Sequence, residues 1–120
     1  MATIKSYTDL EQSKKLAEIL PLDSADCFWD YDEMQKFHRI SWFEDGYNKE
    51  SQLMLNENNV CAWSLAALLG VLKDYTLQTN TDGTVFIVCE GKKPIISDFY
   101  NNPVDACVTM IEKLHELNLL

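Results

Sequence analysis

The sequence predicts an α+β fold: an antiparallel meander sheet packed by about three helices, in the order α-ββ-α-βββ-α. Three observations predict it. An amphipathic segment with a capping signal stands near each end of the chain. Between them lie an alternating run at 27–32 and a β-branched, aromatic run at 84–90. The length, 120 residues, suits one domain spanning 1–120.

The first helix is expected over 9–20. Thr8 with Glu11 reads as a capping box, Leu10, Leu16, Ile19 and Leu20 fall mostly on one face, and Pro21 stops the helix. Cys27, Trp29 and Tyr31 then alternate with Phe28, Asp30 and Asp32, as on a half-exposed strand, and residues 37–43 form a second strand. A competing pattern exists here. Asp30 with Glu33 is a possible capping box, and Met34, Phe37 and Ile40 recur at spacing three, which would make 31–40 a short helix. Residues 44–59 are polar and are expected to form a loop, with Leu53-Met54-Leu55 as its one candidate strand.

A helix is expected near 62–72. Ala62, Leu65, Ala66, Leu68, Leu69 and Leu72 are apolar around most of its circumference, which predicts a buried, central position. A meander follows: strand 75–79, a turn at Asn80-Thr81-Asp82-Gly83, strand 84–90, a turn at Gly91-Lys92-Lys93 and an edge strand at 94–98. The last helix spans about 103–117. Asn102 is its cap, Pro103 its first residue and Asp105 lies in its first turn, ahead of a stripe of Val104, Cys107, Val108, Ile111, Leu114 and Leu117.

Composition narrows the function. Net charge is −9, which argues against direct binding of nucleic acid or of an anionic membrane surface. No apolar run approaches the roughly 20 residues of a membrane helix, and the first residues lack the apolar centre of a signal peptide. Cys27, Cys61, Cys89 and Cys107 include no C-x-x-C pair. They are expected to be buried thiols in a reducing compartment, and the expected location is cytoplasmic. Four unclustered glycines offer no phosphate-cradling loop, and no cofactor is expected. No feature of the sequence sets an oligomeric state.

Three blocks resemble a known family. They are residues 4–17 (Ile4 to Ala17), residues 62–69 (Ala62-Trp63-Ser64-Leu65-Ala66-Ala67-Leu68-Leu69) and Asn102-Pro103-Val104-Asp105-Ala106-Cys107. As a set they resemble small uncharacterised proteins encoded in gut bacteria and in their phages and mobile elements. The resemblance covers about a quarter of the chain. It implies a cytoplasmic protein and carries over no catalytic residues.

Candidate chemistry is sparse. Cys61 at the start of the second long helix could have a lowered pKa, with His38 as its base. Against this, the flanking glycines of papain-like sites are missing, and a buried thiol is the plainer reading. Cys107 and His115 sit eight positions apart on one helix, about 12 Å along its axis, too far to act together. Asp26, Asp30 and Asp32 share a strand face and could meet a hard cation, but a solvated acidic face is the default and no metal site is assigned. Ser64 lacks a G-x-S-x-G setting.

The most unusual feature lies in residues 23–57. They hold nine carboxylates against Lys36, Arg39 and Lys49, a net −6 of the total −9. Phe28, Trp29, Tyr31, Phe37, Trp42, Phe43 and Tyr47 fall in the same stretch. Residues 26–59 are therefore expected to be the contact surface of a non-enzymatic binding or regulatory module, with Trp29, Asp30, Asp32, Trp42 and Phe43 facing a basic protein partner. The alternatives are an enzyme using Cys61 and His38, or an acidic mimic of nucleic acid. The plain counter-reading makes most of those aromatics core.

Overall fold

The computed structural model describes residues 5–72, 74–89 and 95–120. It is an α+β fold, as the sequence predicts. Helix α1 (Leu10–Ala17) leads through a 3-10 turn (Leu22–Ser24) to the hairpin β1 (Cys27–Asp32) and β2 (Phe37–Trp42). Then come α2 (Lys49–Leu53), β3 (Val60–Ala62) and α3 (Leu65–Val71). The meander β4 (Tyr75–Thr79), β5 (Val85–Cys89) and β6 (Ile95–Ile96) precedes the long helix α4 (Pro103–Glu116).

The strands form two antiparallel sheets rather than one. The first has the order β2-β1-β3, the second β4-β5-β6. Pattern alone does not say which strands pair, and β3 is the strand that claims β1 for a sheet of its own. Phe28 of β1 lies between Cys61 of β3 and Ser41 of β2. Tyr31 lies beside His38. The helix considered for 31–40 does not form; the one-to-one register from Cys27–Trp42 to Asp32–Phe37 takes those residues.

One core cluster joins the elements. Helix α4 supplies Val104, Ala106, Cys107, Val108, Met110, Ile111 and Leu114 to it and packs on α3 and β5. Leu16, Trp63, Leu68, Leu72, Val85 and Ile87 meet that face. Asn102 caps α4 through the Asp105 N–H at 2.9 Å, with Pro103 at its start, as read from the sequence. No helix among the described residues is long and apolar enough to cross a membrane.

Several expectations need correction. The first helix is capped by Asp9, not Thr8: Asp9 accepts from the Gln12 N–H at 2.8 Å and Gln12 answers with its own carboxamide. Thr8 is fully buried. Its hydroxyl accepts from the Trp63 N–H at 3.2 Å and shares a hydrogen bond with Ser13. Residues 61–63 do not open a helix, because Cys61 and Ala62 belong to β3 and the α3 cap is Ser64, which accepts from the Ala67 N–H. Helix α3 is not buried all round: Leu68 is its one fully buried residue, and Ala66, Leu69 and Gly70 are exposed. Within 44–59 the chain makes α2, capped by Asn48, and Leu53 ends that helix rather than starting a strand. The expected strand 84–90 is Val85–Cys89, and the edge strand is the short pair Ile95–Ile96. The turn at Gly91-Lys92-Lys93 lies outside the described residues. The turn before β5 forms as expected, with Gly83 at φ 89°.

Asp105 ties three segments together. Its carboxylate accepts from Lys5 Nζ, Gln12 Nε2 and Asn102 Nδ2, each at 2.7 Å. Partial burial opposes its ionisation, but these hydrogen bonds and the Lys5 charge outweigh that and hold it below the ordinary 3.8. A carboxyl whose folded pKa is depressed adds stability above its unfolded value and loses it as pH falls through the folded one. Stability should therefore drop below about pH 4. Asp105→Asn should be less stable at neutral pH and show a flatter acid limb, read as urea midpoints between pH 2 and 7. An unchanged acid limb in the variant would refute this role.

Candidate functional site

The acidic, aromatic segment folds into the β1–β2 hairpin, the loop after it and α2. Strand alternation sorts its side chains. Cys27, Trp29 and Tyr31 point to one side of the first sheet, Phe28, Asp30 and Asp32 to the other.

On the first side Trp29 is half-buried. Its Nε1 donates to the Thr8 carbonyl at 3.1 Å and its ring meets Tyr7 edge-on at 5.6 Å. Trp29 fastens the sheet to the chain ahead of α1 and does not face the acidic groove described below. His38 lies on this side, its ring 4.9 Å from Tyr31 and its Nε2 2.9 Å from the Asn58 carbonyl oxygen.

Cys61 shares a row with Phe28, on the opposite side from His38. The sheet separates the two, so they form no catalytic pair. Cys61 is buried on a strand, not exposed at a helix N-terminus, and burial pushes its thiol up. Burial likewise raises Cys27, and Cys107 is pushed up to about 12. Cys27, Cys61 and Cys107 are free thiols. His115 is exposed near the end of α4 while Cys107 faces the core.

The three carboxylates read from the sequence as one strand face have separate surroundings, and Asp26 lies just ahead of β1. Asp26 accepts from the Ser64 N–H at 2.9 Å and from the Ser64 hydroxyl, so it holds the α3 cap. Asp32 accepts from Met34 N–H at 2.9 Å and Gln35 N–H at 3.0 Å, closing the hairpin, and pairs with Arg39 at 3.6 Å. Asp30 has no hydrogen bond or ion pair among the described residues. No group of three His, Cys, Asp or Glu side chains among the described residues is placed to hold a metal ion.

Asp30 opens onto a groove of about 370 Å³. Phe28, Ser41, Tyr47, Leu55 and Glu44 line it with Asp30, and Trp42, which starts from the Cys27 side of the sheet, borders it where β2 ends. Trp42 is 56% exposed, Tyr47 69% and Leu55 83%. Exposed Tyr47 and Leu55 along the hollow, with exposed Trp42 at the bordering strand end, form a patch of the kind that marks contact sites. Gln52 of α2 shapes the groove: its Oε1 accepts from the Glu44 N–H at 2.9 Å and its Nε2 donates to the Tyr47 carbonyl at 3.3 Å. Phe43 is half-buried. It stacks on Phe28 at 4.9 Å, so it supports the base of the groove rather than its mouth.

Nearby cations are already engaged. Lys49 Nζ donates to the Asp23 and Ala25 carbonyls and sits 5.6 Å from the Phe43 ring centre. Arg39 turns back to Asp32. The Glu44 carboxylate, like that of Asp30, has no partner among the described residues.

The sequence singled out Asp30, which lines the groove, and Trp42, which borders it. Trp29, Asp32 and Phe43 are held elsewhere or beneath it. Glu44, Tyr47 and Leu55 were not marked as site residues. Glu44 and Tyr47 were visible as one more acid and one more aromatic of the segment, and Leu55 carried no signal beyond its hydrophobicity. The chain matches no protein-family model, no curated protein and no solved structure.

Proposed function

We propose that this protein is a non-enzymatic binding module of the cytoplasm whose acidic, aromatic groove holds a cationic side chain of a basic protein partner. The observation that carries this reading is one hollow lined by exposed Tyr47 and bordered by exposed Trp42, together with Asp30 and Glu44, whose carboxylates have no partner among the described residues. Aromatic faces attract lysine and arginine, and a nearby carboxylate adds charge attraction at short range. The net −6 of residues 23–57 steers a basic partner toward the same region. Support for a reducing location comes from three buried, unpaired thiols.

The test is a calorimetric titration with a lysine-rich peptide and with its glutamate counterpart. The lysine peptide should bind, and more weakly as salt rises. Trp42→Ala should weaken it about tenfold and Asp30→Asn several-fold, with unchanged circular dichroism, since a central tryptophan is a typical anchor. Equal affinity for both peptides, or an unaltered affinity in Trp42→Ala, would end this proposal.

A further inference from the structure

Strand β2 is an edge. In the first sheet it pairs with β1 on one side, and no strand among the described residues lies along the other. The direction of its free groups follows from the ladder. Phe43 N–H donates to the Asp26 carbonyl at 3.2 Å, and antiparallel pairs alternate, so Phe37, Arg39 and Ser41 turn their N–H and C=O groups toward β1. His38, Ile40 and Trp42 turn theirs outward.

Natural sheets blunt such edges with proline, lysine, bulges or very short strands. Strand β2 has six residues, no proline and no bulge in its register. Its one cation, Arg39, folds back to Asp32. The edge also ends beside the groove, because Trp42 borders it and Ser41 lines it.

We infer that the partner of this protein supplies an extended segment that adds as a strand to the outer edge of β2, with a lysine or arginine entering the groove. This rests on the groove reading above and adds its geometry. A residue placed opposite Ser41 in a new strand shares that residue's side of the sheet. That is the side of Phe28 and Asp30. Main-chain hydrogen bonds to His38, Ile40 and Trp42 would hold the segment, and the groove would select its cationic side chain. Charge decides the occupant. A second copy would bring the same acidic stretch against this one, whereas a basic segment meets Asp30 and Glu44.

The probe is a synthetic peptide alternating lysine and valine, long enough to lie along all of β2. The intact protein is studied by amide hydrogen exchange and by titration. Bound peptide should slow exchange at the His38, Ile40 and Trp42 amides. N-methylation of the peptide amides that face β2 should weaken binding at least about tenfold, since it removes those hydrogen bonds. If the N-methylated peptide binds as well as its parent while Trp42→Ala still weakens both, strand addition is wrong and the groove reading stands. If Trp42→Ala and Asp30→Asn bind the parent peptide normally, the groove reading fails and this inference fails with it. A peptide that does not bind overturns both. Slow exchange at Ile40 and Trp42 in a dimer without peptide assigns the edge to a second copy and overturns the inference.

Discussion

Trp63→Ala should destabilise the protein by about 4 kcal/mol, the cost of removing a fully buried aromatic side chain and leaving a cavity. The cause is specific to its place. Trp63 has no exposed surface and lies in the core that α4 completes. Its Nε1 donates to Ser24 Oγ at 2.9 Å, and Ser24 Oγ donates in turn to the Pro21 carbonyl at 2.6 Å. Its backbone is gripped as well: the carbonyl accepts from Thr8 N–H at 2.9 Å and the N–H donates to Thr8 Oγ1. One residue thus joins the chain ahead of α1, the 3-10 turn and the entry to α3. Domains of this kind have about 5–15 kcal/mol in hand, so the variant should sit near the edge of folding. Urea denaturation measures it, with Trp63→Phe as the milder control. A loss below about 1 kcal/mol would mean that the pocket collapses around the gap and that the fold does not depend on this ring.

Asp26→Ala should cost about 2–3 kcal/mol, while Asp30→Ala should stay within about 0.5 kcal/mol of the parent protein. These carboxylates are four residues apart, Asp26 just ahead of β1 and Asp30 within it. Asp26 makes charge-assisted hydrogen bonds to the Ser64 N–H and hydroxyl, and Ser64 is the residue that caps α3. Its loss removes those bonds and loosens the cap. Asp30 holds nothing in place among the described residues. In peptide titrations the order should reverse, with Asp30→Ala weakening binding and Asp26→Ala leaving it largely intact. Denaturation and titration on the same pair of variants measure both halves. Equal stability losses would mean that the two acids are interchangeable.

Local signals were legible where they settle the matter locally. Asn102, Pro103 and Asp105 marked the start of α4, and Gly83 marked its turn, because caps and positive φ are decided within a few residues. The cap of α1 was misplaced by one residue. Thr8 has the chemistry of a cap, but its hydroxyl is claimed by Trp63, 55 positions on. The apolar run through Cys61, Ala62 and Trp63 hid a change from strand to helix, since a short apolar stretch fits either. Ser64, with the α3 N–H groups beyond it, was the signal that could have found the boundary. Helix α2, five residues long, is too short to show a period.

The site followed the same logic. The coincidence of acids and aromatics marked a segment, and the candidate groove draws its lining from it. Dividing it into fasteners and a groove required knowing which side of the sheet each residue takes and which distant atoms it meets. Trp29 meets Thr8, and Asp26 meets Ser64. No spacing within 23–57 encodes either contact.

The order of the elements, with α4 after all those it packs on, has a consequence for synthesis on the ribosome. The β1–β2 hairpin joins near neighbours and can form while the nascent chain is still growing. The interior cannot close then, because Val104, Met110, Ile111 and Leu114 have not yet emerged. Leu16, Trp63 and Leu68 must wait uncovered until α4 arrives. During that interval the growing polypeptide has its greatest need of a chaperone.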